Sequence, residues 1–351
     1  MINKQLSIGL IGLGGVAQAH LKAFDLLNNL SIVSVCDVRA DMAIKVSKSL
    51  SAICYTDYRD LLAAGNIDLA MVLTPVSTHR EIVEAIAKQG IHVFCEKPIA
   101  VTLEDAEAMV AVCKQSKVKL FYGSCYRYLP AIAKAKQLIQ SGAIGDVQLM
   151  TEQLIGGHGK EGYTELPPIH YPIGGPGGPG SGLVDHGVHL MDIFAWLNES
   201  EIVSVQGKGL ISGAPASSEF MVMQLENGAM GHLLYNAATY PTGLPNEGMF
   251  SGGQAWLADD SVAETGGWEN QAGSISVYGT TGSLRIFHYT NALFINNGEG
   301  TRQVHLTGRP AFGHFATQLE DCAEAIFNNR EPTVNGEDGV RALKALLEVY
   351  L

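Results

Sequence analysis

The sequence predicts an α/β chain in two parts: a Rossmann-type parallel sheet with helices on both faces, then an α+β domain with an open, mostly antiparallel sheet. Three observations predict this. The first third alternates short apolar runs with helical periodicity. A G-x-G-x-x-A turn separates its first strand from its first helix. Later in the chain, strand-like runs recur at short intervals with turn residues between them. Strands that are apolar on both faces and separated by helices belong to a parallel sheet covered on both sides. Closely spaced strands pair with their neighbours as antiparallel ribbons. With 351 residues, 46% of them hydrophobic, the chain can build two cores.

In order, "SIGLIGL" reads as a strand and "VAQAHLKAFDLL" as a helix. "SIVSVCD" is a strand and "RADMAIKVSKSL" a helix; "DLAMVLTP" is a strand and "HREIVEAIAKQG" a helix ending on Gly90. "HVFCEK" is a strand, "LEDAEAMVAVCKQSK" a helix, and "KLFYGSCY" closes a first domain over residues 1–124. The second domain, 125–351, opens with a helix, "LPAIAKAKQLIQSGAIGD", and a long strand, "VQLMTEQLIG". A loop rich in glycine and proline leads into "LVDHGVHLMDIFAWLN", which reads as one amphipathic helix. Strands follow at "EIVSVQGKG", "EFMVMQLEN", "AMGHLLYNA", "SISVYGT" and "SLRIFHY", interrupted by a loop over 240–272 that carries Trp256 and Trp268. The tail, "HFATQLEDCAEAIFNN" and "GVRALKALLEVY", is helical. "MVMQLE" and "GHLLYN" place apolar residues on both faces, which fits a sheet buried against another subunit in a homodimer or homotetramer.

The net charge of −12, with no basic run, disfavours nucleic acid and an anionic membrane surface as partners. No stretch has the ~18 apolar residues of a membrane span. The apolar start is punctuated by glycines rather than built as a signal peptide, so a cytoplasmic protein is expected. The six cysteines form no CxxC pair and read as small buried thiols in a reducing compartment.

The residues placed to carry chemistry cluster at strand ends, where an open parallel sheet puts its ligands. In the glycine turn, Gly12 permits the tight bend, Gly14 lets a pyrophosphate approach the backbone, and Ala17 packs the helix on the sheet. Gly15 and Val16 begin the helix whose free N–H groups would meet the phosphates. Asp37 follows Ala17 by 20 residues, where a carboxylate accepts hydrogen bonds from an adenosine ribose. That favours NAD. Arg39 leaves NADP open, because it could turn toward a 2′-phosphate, and Asp37 could instead cap the next helix. Thr74, Pro75 and His79, in "TPVSTH", border the same cleft or form a plain turn. Lys97 ends a strand at a proline that cannot continue it, and a lysine there is costly to bury unless its charge is used. Asp185 and His189, four apart, share a helix face; they are a carboxylate–imidazole pair for proton transfer or a plain surface pair. His186 faces elsewhere. A metal pair of His186 and His189 finds no further ligand cluster nearby, so no metal is expected. Arg127, after the last strand of the first domain, lines the cleft or is a solvated helix-start arginine.

Taken together, "GLIGLGGVAQAHL", "TPVSTH", "FCEKPIA", "SGAIGDV", "DHGVHLMDI" and "VYGTTGSLRI" resemble the Gfo/Idh/MocA oxidoreductases, the family of inositol dehydrogenases and glucose–fructose oxidoreductase. The match runs in order over most of the chain, and its EKP and D-x-x-x-H pieces are the specific ones. The resemblance implies an NAD(P)-dependent dehydrogenase acting on a secondary alcohol of a sugar, inositol or related polyol. It implies a catalytic set that maps to Lys97, Asp185 and His189, all three of which would touch substrate together with Arg127. Lys97 would stabilise alkoxide character, His189 would take the hydroxyl proton, Asp185 would position His189, and Glu96 would brace the cofactor end beside Lys97. Two alternatives accompany it: a cofactor-retaining glycosidase or epimerase of the same family, and a non-catalytic NAD-binding regulatory protein. The loop "YPIGGPGGPGSG" is richer in glycine and proline than the family's short version, which leaves the substrate open.

Overall fold

A computed structural model describes residues 5–155, 183–209, 218–236, 274–288, 291–307 and 311–350, with the side chains of Leu154, Ile155 and Asp185 excepted. Two compact units divide the chain, with the break after Ser124.

The first unit is a parallel sheet of six strands: β1 (Leu6–Ile11), β2 (Leu30–Cys36), β3 (Ile53–Tyr55), β4 (Leu69–Val72), β5 (His92–Cys95) and β6 (Leu120–Tyr122). Their spatial order is 3-2-1-4-5-6, and every pair is parallel. Helices α1 (Gly15–Phe24), α2 (Ala40–Leu50), α3 (Tyr58–Ala63), α4 (His79–Lys88) and α5 (Leu103–Gln115) make the connections. The central strands β1, β4 and β5 are almost wholly enclosed, and every residue of β4 is buried. Periodicity alone misses β3 and α3. Strand β3 is three residues long at the sheet edge, with Ile53 and Cys54 exposed, so it shows neither alternation nor a buried run. Cys54 also corrects the reading of all six thiols as buried; all six are free.

The helical tail corrects the expected domain division. Helices α8 (Gly313–Phe327) and α9 (Gly336–Leu347) belong largely to the first unit, which takes Phe315–Leu343. Gln318 Nε2 donates to the Tyr122 carbonyl at 3.1 Å, and the Phe315 ring meets His20 edge-on at 4.7 Å. A side chain at Gly336 would meet Leu120 Cδ2 at 2.6 Å. The tail therefore seals the β6 edge, which would otherwise stay open.

The second unit holds, among its described residues, strands β7 (Val147–Ile155), β8 (Ile202–Lys208), β9 (Glu219–Leu225), β10 (Met230–Asn236), β11 (Ile275–Gly279), β12 (Gly282–Phe287), β13 (Ala292–Asn297) and β14 (Gly300–Gln303). The order is 14-13-12-11-7-10-9-8, antiparallel except where β7 and β10 run parallel. The β13–β14 hairpin is an addition to the strands predicted. Helix α6 (Pro130–Gln140) and helix α7 (Val188–Asn198) complete the unit. Gly231 lets α7 approach, since a Cβ there would meet Phe194 Cδ2 at 2.7 Å.

The segment 183–198 is not one amphipathic helix. It starts as a π-helical turn, Leu183–Gly187, and continues as α7, which buries most of its circumference, His189 and Asp192 included. A helix apolar nearly all round belongs inside, not on a surface. The glycine–proline loop and the tryptophan loop lie outside the described residues.

Candidate active site

In the first unit the glycine turn sits where strand order reverses, between β1 and β4. Gly12 has φ +91°, and a Cβ there would lie 2.7 Å from the Leu73 carbonyl oxygen. Only glycine fits, because the conformation and the approach both exclude a side chain. Gly14 and Gly15 face open space, with nothing within 4 Å of an added Cβ. Gly14 is the N-cap of α1 and contributes no side-chain cap, so the first-turn amides are presented outward. Ala17 is fully buried against the sheet. This cradle fits a pyrophosphate on an observation of its own: the small residues leave open the volume a phosphate needs.

Asp37, at the end of β2, accepts from the Leu13 amide at 2.9 Å and so ties the glycine turn to the neighbouring strand. It also accepts from the Arg39 amide at 2.9 Å, and from Arg39 Nε and Nη2 at 3.0 Å each. Burial by itself raises the Asp37 carboxyl. The Arg39 side chain, then the Arg39 and Leu13 amides, outweigh burial and hold it below the usual carboxylate value. The N-cap of α2 is Arg39, without a side-chain cap, so the helix-capping alternative for Asp37 does not hold. Arg39 lies over the carboxylate in a bidentate pair.

After β4, Thr78 Oγ1 donates to the Pro75 carbonyl and lies hydrogen-bonded to Thr74 Oγ1, each at 2.8 Å. His79 is buried beneath this turn. Its Nε2 lies 2.9 Å from the Thr74 carbonyl and its Nδ1 3.1 Å from the Ile99 carbonyl, and burial pushes its pKa down. His79 thus joins the turns after β4 and β5 from below. At the end of β5, Glu96 is buried; one carboxylate oxygen meets His20 Nε2 of α1 at 2.8 Å and the other accepts the Lys97 amide at 3.0 Å. The Lys97–Pro98 peptide is cis. Glu96 therefore fixes the backbone of the lysine turn onto the helix that follows the glycine turn.

In the second unit, His189 on α7 is buried with its ring stacked on Tyr126, centroids 4.0 Å apart and planes 2° from parallel. Asp185 lies in the π turn. Arg127 corrects the solvated alternative: it is buried, its Nε donates to Asp192 Oδ2 at 3.0 Å, and its Nη2 to Asp192 Oδ1. The fork pins the segment after β6 to α7.

Carboxylate and imidazole groups gather around His186. His186 Nε2 lies 2.6 Å from Glu152 Oε2, His288 Nε2 lies 3.3 Å from Glu152 Oε1, and Tyr126 Oη lies 3.3 Å from His186 Nδ1. Tyr126, Glu152, Asp192 and His288 were not singled out by sequence reasoning. One signal was available: in β7, Glu152 shares the inward parity of Met150, so the strand aims a carboxylate at its core side.

Residues 6–124 match the oxidoreductase family with NAD-binding Rossmann fold, GFO/IDH/MocA, and residues 132–285 match the GFO/IDH/MocA C-terminal domain. The chain is 23% identical over 350 residues to a myo-inositol 2-dehydrogenase of Thermotoga maritima, covering 96% of this chain and 93% of that one. It is 24% identical over 316 residues to a 2,7-anhydro-N-acetylneuraminate hydratase of Escherichia coli, covering 88% and 80%. Its fold is similar to that of the WlbA dehydrogenase from Bordetella pertussis, solved in complex with NADH and UDP-GlcNAcA, at TM-score 0.74 and 20% identity over 100% of this chain and 96% of that one.

Proposed function

The chain belongs to the Gfo/Idh/MocA oxidoreductase family, an NAD-binding family, and on that premise we propose that it oxidises a secondary alcohol of a sugar, inositol or related polyol to the ketone. The observation that carries the reading is the turn after β5. A lysine stands at the ligand edge of the sheet, and its backbone is held by Glu96 to the helix that opens the phosphate cradle. Bound at that cradle, NAD supplies the hydride acceptor. The Lys97 ammonium donates to the reacting hydroxyl oxygen and stabilises the negative charge that grows on it as the C–H bond breaks. The hydroxyl proton moves to an imidazole nitrogen of His189, whose ring orientation Tyr126 fixes by stacking. Asp185 is assigned to holding His189, and Arg127 to setting the position of α7 through Asp192.

A second reading is favoured by the hydratase relative: a retained cofactor that oxidises and re-reduces the substrate within one cycle. A screen of sugars, inositols and polyols with NAD separates the two. Stoichiometric NADH with ketone formation is expected. Product formed with no net NADH overturns the dehydrogenase reading in favour of the second.

A further inference from the structure

We propose that Glu152, His186 and His288 form a binding site for one divalent transition cation, of which Zn²⁺ is the best fit. The three side chains come from three separate elements of the second unit: β7, the π turn, and the residue after β12. Their ligand atoms all lie within 4.8 Å of one another. A tetrahedral cation with bonds of about 2.0–2.1 Å spaces its ligands a little over 3 Å apart. The imidazoles meet different oxygens of the Glu152 carboxylate, His288 Nε2 at Oε1 (3.3 Å) and His186 Nε2 at Oε2 (2.6 Å), so all three groups converge and closing on one ion takes only small side-chain movements.

The chemistry of the donors points the same way. Two imidazoles and one carboxylate are a ligand set that binds Zn²⁺ and leaves a fourth position for water or substrate. Tyr126 Oη at His186 Nδ1 leaves Nε2 to the cluster, the outer-shell arrangement that orients a ligating histidine. His288 is fully buried, with its Nε2 turned toward Glu152. Glu152 is itself 2% exposed, and burying a carboxylate is costly unless a cation balances it. The site adjoins His189 through Tyr126, which stacks on one histidine and meets the other. The inference stands on these residues and does not depend on the reaction proposed above.

The test is cation binding to the full chain, stripped with a chelator and dialysed. Zn²⁺ titrated calorimetrically should bind one equivalent per chain, and Co²⁺ should give the visible absorption of a low-symmetry, four-coordinate ion. His186→Ala, at the rim of the cluster, should weaken Zn²⁺ by more than the ~10–100-fold typical of outer-shell losses and abolish the Co²⁺ band. Tyr126→Phe should fall within that 10–100-fold range. Circular dichroism checks that each variant folds; Glu152→Gln replaces His186→Ala should the latter not fold. Failure of the wild-type chain to bind Zn²⁺, or equal affinity and an unchanged Co²⁺ band in a folded ligand variant, overturns the site and leaves a metal-free hydrogen-bonded trio.

Discussion

Asp37 faces two demands at once. It accepts the Leu13 amide that shapes the glycine turn, and it carries the Arg39 fork on its outer side. Removing the carboxylate both loosens the turn and frees Arg39, a group suited to a 2′-phosphate. Asp37→Ala is therefore expected to weaken NAD and to narrow or reverse the preference over NADP. Calorimetric titration of both dinucleotides measures it, and a wild type that binds NADP more tightly would assign cofactor choice to Arg39 instead. At this scale the sequence was informative where a residue type is constrained by its place at a strand end: Gly12, Asp37 and Lys97 could all be named from local context. Tyr126, Glu152 and His288 could not. They are about 26 and 136 residues apart along the chain, and only sheet pairing brings them together.

The β1–α1 turn is the element on which cofactor binding depends. Gly12→Ala puts a Cβ at a positive φ against the Leu73 carbonyl group, which as backbone cannot yield, and against Thr74 Cγ2. A loss of about 2–4 kcal/mol follows from strain plus overlap. Thermal unfolding should show a lower midpoint, and NAD binding should fall with it. Unchanged stability and affinity would mean that the turn adopts another conformation. Long, periodic elements such as β4–α4 were legible because burial on both faces leaves an unbroken apolar run. The short edge strand β3 and the β13–β14 hairpin were not, because their exposed residues carry no such pattern. The run 183–198 misled for a different reason. Its composition is helical throughout, but its first turn winds as a π-helix and its second part is buried nearly all round.

At the scale of the molecule, the sheet of the second unit carries, among the described residues, a run of exposed apolar side chains. Leu149 pairs across strands with both Met230 and Tyr278, and all three are exposed; Val203 and Phe220 extend the apolar surface. A second copy packed there, with about 800 Å² per partner, would bury it. A dimer or tetramer is expected in light scattering at micromolar concentration, and Leu149→Glu should shift it toward monomer; a wild-type monomer would contradict this. The tail shows the limit of reading domains from linear order. Helices α8 and α9 follow the second sheet in sequence and still pack largely on the first unit, because their apolar faces are complementary to the β6 edge. The central claim is that Lys97 acts on the oxygen of the reacting alcohol and is not a structural strand-end lysine. Lys97→Met keeps most of the stem and deletes the charge. The measurement is steady-state turnover on the best alcohol from the screen, alongside NAD affinity. Turnover should fall by about 10²-fold or more, as for other preorganised donors at a forming oxyanion, while NAD affinity changes far less. Near-normal turnover in Lys97→Met would contradict the account.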